Sequence, residues 1–232
     1  MRKKPWGWVW RGLLFVVGLL LLYQLWIFAH VLWWSWFNPS TSAFMEQRLE
    51  ALQEKNPAAK LRHTWVPYDK ISMNLKRALV AAEDANFMEH EGFDWDAIQR
   101  AYEQNLKQGK IVAGGSTISQ QLAKNLFLSG RRSSLRKLEE ALITVMIESV
   151  MSKQRIFEIY LNIIEWGNNV YGAEAAARYY FNRNAGNLDA WEAARLAAMV
   201  PKPRYYDRNR NTPWLDRKTN LILGRMPSAQ VP

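Results

Sequence analysis

Apolar residues form one unbroken stretch near the N-terminus of this 232-residue chain. No charged residue occurs from Gly12 to Met45, and the segment from Leu13 to Trp34 is almost wholly apolar. A helix that crosses a bilayer needs roughly 20 such residues. The basic residues that precede the segment are Arg2, Lys3, Lys4 and Arg11. Because positive flanks stay in the cytoplasm, we predict a cytoplasmic leader over 1–11 and a transmembrane anchor over 12–37.

Tryptophans follow this apolar segment closely. Trp33, Trp34 and Trp36 stand where an interfacial aromatic belt would lie, at the outer end of the span. A cleaved signal peptide would have a shorter apolar core and a small-residue cleavage site. The segment therefore indicates an uncleaved anchor, with the rest of the chain on the outer, periplasmic face of the cytoplasmic (inner) membrane.

Beyond the anchor, apolar residues recur at the three-to-four-residue spacing of helices, and capping residues precede most runs. The predicted caps are Ser72, Asp94, Thr117, Ser133 or Ser134, Ser152 and Asp189. The long helix that starts at Ser133 or Ser134 is marked by an apolar stripe of Leu135, Leu138, Leu142 and Val145. Strand signals are sparse, and the best covers 63–68. The pattern predicts a mainly α domain.

Charge and composition narrow the classes of partner. The chain has a net charge of +10, but the four basic residues of the leader account for part of it and the remainder carries +6. No helix-turn-helix, zinc-finger or RNA-binding signature is present, so we predict no nucleic-acid partner. There is no cysteine, which excludes disulfides and thiolate metal sites.

Acidic residues are concentrated in the stretch EDANFMEHEGFD, residues 83–94. Glu83 ends a predicted helix, where the helix dipole disfavours negative charge and raises a carboxyl pKa, so Glu83 is a candidate general base. The alternative is a set of solvated acids at a helix end. Asp94 is better explained as a helix cap than as a metal ligand, and His90 as a structural hydrogen-bonding residue.

A glycine loop, a helix N-terminus and a cation cluster follow within 25 residues. GGSTISQQLAKN, residues 114–125, combines two glycines with free N–H groups that suit an anion. GRRSSLRKLEE, residues 130–140, adds four cations. Taken alone, Arg136 and Lys137 would be ordinary surface partners of Glu140. Together these features predict a diphosphate site.

These motifs resemble those of the monofunctional biosynthetic peptidoglycan glycosyltransferases, whose catalytic domain is shared with bifunctional penicillin-binding proteins. The first motif is matched by Glu83, Asp84, Phe87, His90, Gly92 and Asp94. The second is matched over 114–125, with Ser119 in place of Thr, and the third by Arg136, Lys137 and Glu140. The stretches 158–181 and 188–206 resemble the fourth and fifth motifs, whereas RYYDRNRN after Pro203 departs from the family.

The resemblance implies a lysozyme-like two-lobed helical domain over 63–206, between a juxtamembrane segment (38–62) and a C-terminal tail (207–232). It implies polymerisation of lipid II, a disaccharide-pentapeptide on undecaprenyl diphosphate, at the outer membrane face. The 4-hydroxyl of one unit attacks the anomeric carbon of the growing chain, a β-1,4 bond forms with inversion, and undecaprenyl diphosphate leaves.

The family's residue roles carry over to matching positions. Glu83 would be the base, and Glu140 would hold the cations and orient the leaving group. Residues implied in substrate binding are Ser116, Thr117, Gln120, Gln121, Lys124, Asn125, Arg132, Arg136 and Lys137. Residues implied in supporting the first motif are Asp84, Phe87, His90, Gly92 and Asp94. The sequence requires no cofactor; Mg or Mn at the diphosphate is suggested by some relatives.

Two other functions remain open at this point. One is a lytic enzyme of lysozyme-like fold, which would need a second carboxylate to protonate its leaving group. The other is an inactive anchored module that binds cell-wall glycan or assists division. The expected partners are lipid II, the growing lipid-linked glycan, the membrane, and proteins of cell-wall synthesis or division.

Overall fold

The computed structural model describes residues 6–110, 112, 114–128 and 133–232. Helices dominate this part of the chain, which confirms the predicted mainly α fold class. The helices are α1 (Trp6–Trp34), α2 (Ala43–Gln53), α3 (Met73–Glu83), α4 (Trp95–Gln108), α5 (Ile118–Phe127), α6 (Ser134–Val150), α7 (Lys153–Ile163), α8 (Ala173–Phe181), α9 (Ala190–Met199), α10 (Pro203–Arg208) and α11 (Pro213–Arg225). The strands are β1 (Arg62–His63), β2 (Glu165–Gly167) and β3 (Val170–Tyr171).

The predicted helix starts coincide with side-chain caps. In each case a side-chain oxygen accepts a hydrogen bond from a backbone N–H of the first turn, which satisfies a group that the helix leaves unpaired. The capping residues are Ser72, Asp94, Thr117, Ser133, Ser152 and Asp189. α4 ends at Gly109, which adopts the left-handed conformation with φ of 61°.

The predicted strand over 63–68 is largely wrong. Its first residue, His63, pairs in parallel with β3 as part of β1, but the following residues form no ladder. The Asn162 side chain takes the place of a neighbouring strand, because its Oδ1 accepts from Val66 N at 2.8 Å and its Nδ2 donates to Val66 O at 2.9 Å. An antiparallel hairpin of β2 and β3, which the sequence pattern did not indicate, completes the small sheet.

The core lies between two groups of helices. On one side α3, α9 and α11 pack together, and on the other α5 packs against α6 and α7. Large side chains without exposed surface fill the interior, including Phe87, Phe157, Tyr160, Trp166 and Tyr171. Removing this apolar area from water supplies the main driving force for folding. The end of α3 and the start of α5 are both anchored in this core.

The apolar stripe of α6 faces outward, although such a stripe usually faces a core. Leu135 is 80% exposed, and Leu138, Leu142 and Val145 are exposed as well. The opposite face, with Glu140 and Ile143, is the buried one. The sequence pattern therefore located the helix but not the side that packs.

The N-terminal helix runs beside α6. The stretch Trp8–Trp34 of α1 is long and apolar enough to cross a membrane, which makes α1 a candidate membrane anchor. Tyr23 of α1 donates a hydrogen bond to Glu139 of α6 at 2.6 Å. Exposed apolar side chains therefore occur on both of these neighbouring helices.

The residues after Tyr206 pack against the domain. Leu215 and Ile222 of α11 are buried where α11 contacts α3 and α9. Arg195 of α9 donates a hydrogen bond to Asp216 at 2.5 Å. This packing brings the half-buried Lys218 of α11 towards the end of α3. The domain boundaries given from the sequence stay a prediction.

Candidate active site

Glu83 is the last residue of α3 and its carboxylate is half-buried. Gln121 of α5 donates from Nε2 to Glu83 Oε2 at 2.8 Å. The Tyr160 hydroxyl of α7 in turn donates to Gln121 Oε1 at 3.2 Å. Three helices therefore converge on one carboxylate through a linear set of hydrogen bonds.

Burial raises the pKa of Glu83 above its ordinary value, because desolvation disfavours the charged form. The hydrogen bond from Gln121 and the positive charges of Lys218 and Lys124 oppose this shift, whereas the negative charge of Asp84 adds to it. A carboxyl group with a raised pKa is a stronger base when ionised, as a general base requires. The rise predicted from the sequence is present, and burial is its largest cause.

Asp84 fastens the acidic loop to α5. Its side chain is buried, Oδ1 accepts from His90 Nε2 at 2.9 Å, and Oδ2 accepts from Ile118 N at 2.9 Å. His90 Nδ1 accepts from Gly92 N at 3.1 Å, so the ring proton lies on Nε2. Asp84 and His90 thus connect the loop to the start of α5, and their supporting role in the site stays a prediction.

Gly92 and Asp94 fix the rest of this loop. Gly92 has φ of +91°, and a Cβ there would come within 2.8 Å of Thr144 Cγ2 on α6. Its carbonyl accepts from Thr117 Oγ1 at 2.7 Å. Asp94 caps α4 and also accepts from Asn86 Nδ2 at 2.9 Å. Phe87 lies fully buried beneath the loop.

The glycine loop before α5 packs against protein. A Cβ on Gly115 would come within 2.8 Å of the Ile98 backbone in α4, so glycine is needed there for helix packing. Thr117 and Gln120 form a reciprocal capping box, which leaves their polar groups engaged at the helix start. Asn125 is buried in α5. These contacts are structural, and substrate contacts by Thr117, Gln120 and Asn125 stay a prediction.

Ser119 is a fully buried residue in the second motif. Its hydroxyl donates to the Glu148 carboxylate, which also accepts from Lys153 Nζ at 2.8 Å. Lys153 donates further to His90 O at 2.5 Å. This series of hydrogen bonds connects α5, α6, α7 and the acidic loop. The sequence analysis identified neither Glu148 nor Lys153 as a site residue.

Cations line a cleft of about 730 Å³ between α5 and α6. Its lining residues are Val112, Gly114, Ser116, Gln121, Lys124, Ser133, Ser134, Arg136, Lys137 and Glu140. Glu140 is only 4% exposed; it accepts from Lys137 Nζ and lies 3.7 Å from Arg136 Nη1. Lys137 also donates to Ser116 Oγ at 3.4 Å. Arg132, predicted to belong here, lies outside the described residues.

A smaller cavity of about 210 Å³ adjoins the cationic cleft and contains Glu83. Gly114 and Ser116 line both spaces. Two further cations, Arg100 of α4 and Arg225 of α11, line the cavity around Glu83. Gln121 lines the cleft while its amide donates to Glu83. The cavity that contains the half-buried Glu83 and the cation-lined cleft are therefore neighbours with shared lining residues.

Lys218, Arg225 and Tyr160 were not found by reasoning from the sequence. Lys218 and Arg225 lie in the tail, beyond the last matched motif, and only the packing of α11 on α3 brings them near Glu83. Tyr160 lies inside the stretch that matches the fourth motif, and nothing in its sequence position separates it from its neighbours. A buried tyrosine hydroxyl needs a hydrogen-bond partner, and that requirement was the available signal.

A ligand set for a metal ion is not formed in the part of the chain that the structure describes. No group of three or more histidine, aspartate or glutamate side chains is placed there to hold a metal ion. Mg or Mn at the diphosphate stays a prediction.

The fold, with the half-buried carboxylate of Glu83 beside a cation-lined cleft, is typical of a group-transfer enzyme. A family model described as Transglycosylase matches residues 48–227. The chain belongs to this family. The lysozyme-like fold class and the resemblance inferred from the motifs are thereby confirmed.

Similar proteins cover nearly the whole chain. A biosynthetic peptidoglycan transglycosylase of Nitrosospira multiformis is 64% identical over 225 residues, which are 97% of this chain and 98% of its own. Another protein of the same name, from Methylobacillus flagellatus, is 65% identical over 223 residues, or 96% of this chain and 97% of its own. A third, from Chromobacterium violaceum, is 63% identical over 217 residues, or 94% and 95%.

Proposed function

We propose that this chain polymerises peptidoglycan glycan strands from lipid II. The observation that carries the proposal is the placement of Glu83, a half-buried carboxylate of raised pKa, beside the cleft lined by Lys124, Arg136 and Lys137. Peptidoglycan synthesis is also in the names of relatives that are 63–65% identical to this chain. In this proposal the base acts on the attacking hydroxyl group, and the cations act on the leaving diphosphate.

In the proposed reaction Glu83 removes the proton from the 4-hydroxyl of the incoming lipid II. That oxygen forms a bond to the anomeric carbon of the growing chain's terminal muramyl residue. The bond from this carbon to the diphosphate oxygen breaks with its electron pair, so the α-linked donor yields a β-1,4 linkage. Undecaprenyl diphosphate leaves, and the proton stays on Glu83 until solvent removes it. General-base assistance of this kind contributes about 10²–10⁴-fold to the rate.

The cations act on the leaving group. Negative charge grows on the diphosphate as the bond breaks, and preorganised positive charge stabilises it most in the transition state. We assign Lys124 and Lys137 to the phosphates, and Arg132 by its sequence motif alone. Glu140 contacts both Lys137 and Arg136, so its proposed role is to hold their charged ends at the cleft.

A lytic function is less well supported. Glycoside cleavage needs a carboxylic acid to protonate a poor leaving group, in addition to a second carboxylate. In the cationic cleft the carboxylate of Glu140 is engaged by Lys137 and Arg136, so its contacts are with cations. A diphosphate requires positive charge nearby, which this arrangement supplies. For an inactive anchored module, the polar contacts that orient Glu83 would have no purpose.

Membrane attachment on the outer face is part of the proposal. α1 is the candidate anchor, and the outward stripe of α6 would lie against lipid beside it. The basic leader supports a cytoplasmic N-terminus. A reporter that works only after export should be active when fused after Met45, and the opposite pattern would refute this topology. Partners in cell-wall synthesis or division stay a prediction, as does a divalent cation carried by the diphosphate itself.

The full-length protein in detergent, incubated with labelled lipid II, tests the reaction. We expect lipid-linked polymer from the wild type and a loss of about 10²–10⁴-fold in Glu83→Gln, which keeps size but not basicity. Release of fragments from added glycan would support the lytic alternative, and no product would support the inactive module. Near-normal synthesis by a folded Glu83→Gln protein would refute Glu83 as the base.

A further inference from the structure

Tyr160 supports the base through a side-chain amide whose two ends are not equivalent. Gln121 Nε2 donates to Glu83 Oε2 at 2.8 Å, and Gln121 Oε1 accepts from the Tyr160 hydroxyl at 3.2 Å. If the amide were reversed, its carbonyl oxygen would face an ionised carboxylate and repel it. In the observed orientation the amide N–H faces Glu83, and the amide oxygen accepts a hydrogen bond from the Tyr160 O–H, so both ends of the amide have a partner.

We propose that Tyr160 is a positioning residue that sets the orientation of the Gln121 amide and thereby keeps Glu83 ionised and correctly turned. This inference rests on the proposed function of Glu83 as the general base. With Oε2 engaged by Gln121, the other carboxylate oxygen, Oε1, receives the proton of the acceptor hydroxyl. Tyr160 does not touch substrate, and its effect passes entirely through Gln121.

The surroundings of Tyr160 suit a fixed hydrogen-bond donor. The side chain has no exposed surface, and its ring stacks on Phe157 with ring centroids 6.3 Å apart. Burial and the neighbouring carboxylates of Glu83 and Asp84 raise the pKa of Tyr160 well above its ordinary value, so the phenol keeps its proton at neutral pH. The hydroxyl therefore remains able to donate to Gln121 throughout the working range.

Other charged groups also face Glu83, and they bear on any pH test. Lys124 of α5 and Lys218 of α11 favour its ionised form, and Asp84 opposes it. Arg100 of α4 and Arg225 of α11 line the same cavity. These groups are unchanged when Tyr160 is replaced by phenylalanine, so a shift in the pH profile would report the loss of the hydroxyl.

The test is the pH dependence of polymerisation by the full-length Tyr160→Phe protein. Without the hydroxyl, Gln121 Oε1 loses its donor, so the amide is held less firmly and the ionised form of Glu83 loses part of its hydrogen bond. Hydrogen bonds to charged groups are strong enough that we expect the acidic limb to move to higher pH by about one unit. At the acidic pH values where the polymerisation rate still rises with pH, the rate should fall about tenfold. At higher pH, where Glu83 is fully ionised, the rate should be nearly retained.

Two controls separate positioning from general damage to the fold. Tyr171→Phe removes another fully buried tyrosine hydroxyl, one that lies 3.5 Å from Glu165 and away from the site, and should leave the pH profile in place. Gln121→Ala should move the limb in the same direction as Tyr160→Phe. The double variant of Tyr160 and Gln121 should then lose no more than Gln121→Ala alone, because groups that act through one another are not additive.

The outcomes distinguish this inference from the proposed function. If the wild type makes no polymer, the proposed function fails. If the wild type is active and Glu83→Gln is not, an unmoved limb in a folded Tyr160→Phe protein overturns the positioning role alone. Additive losses in the double variant would also overturn it. A drop in thermal stability with an unchanged limb would make Tyr160 a purely structural residue. Should Tyr160→Phe fail to fold, an unmoved limb in Gln121→Ala would overturn the inference.

Discussion

Asp84→Asn should separate structural support from chemistry in the acidic loop. Asp84 is 6% exposed and accepts two hydrogen bonds, from His90 Nε2 and from Ile118 N, each at 2.9 Å. Asparagine offers one acceptor oxygen, so its amide nitrogen must face one of the two donors. The variant therefore loses one charge-assisted bond and brings two donors together.

The magnitude follows from these contacts. A hydrogen bond to a charged group contributes about 1.5–3 kcal/mol, and 1 kcal/mol lowers the melting temperature of a protein of this size by roughly 2–4 °C. We expect Asp84→Asn to lower the melting temperature by roughly 3–12 °C. The rate should fall less than in Glu83→Gln, because the base remains. Loss of the Asp84 charge also removes one cause of the raised Glu83 pKa.

Thermal unfolding and lipid II polymerisation, measured on the same detergent-solubilised samples, provide the assay. Glu83→Gln is the matched control, since it replaces the adjacent carboxylate by an amide but should affect rate more than stability. An Asp84→Asn protein that melts like the wild type yet loses more than about 10²-fold in rate would refute the supporting role. It would place Asp84 in the chemistry.

Further predictions concern the cations and the loop. Lys137→Ala should lose turnover more than Lys110→Ala, a loop lysine outside the motifs, because bonds to the leaving group strengthen as charge develops; equal, mild losses would contradict the phosphate role. Lys218→Met should raise the pKa of Glu83 further, so the acidic limb of the rate profile should move to higher pH; an unmoved limb would show that this lysine does not act on the base. Gly92→Ala should lower thermal stability, because a Cβ at φ of +91° would come within 2.8 Å of α6; a wild-type melting temperature would contradict this packing.

Much of the local structure was determined by the sequence alone. Capping residues such as Ser72, Thr117 and Asp189 predicted helix starts correctly, because a cap satisfies the N–H groups of its own first turn. The end of α3 at Glu83 could also be inferred locally, because the apolar stripe of this helix stops at Ala82. The family also followed from short motifs, since these contain the residues that meet in the site.

Tertiary packing decided what depends on distant parts of the chain. The segment after His63 was predicted to be a strand, but the Asn162 side chain forms the hydrogen bonds that a neighbouring strand would have formed. The apolar stripe of α6 faces away from the core. Lys218 acts on Glu83 only because α11 folds back onto α3. Side-chain periodicity identifies an element but does not specify its neighbour. The burial of Glu83, which raises its pKa, is therefore a property of the assembled helices, not of the acidic stretch itself.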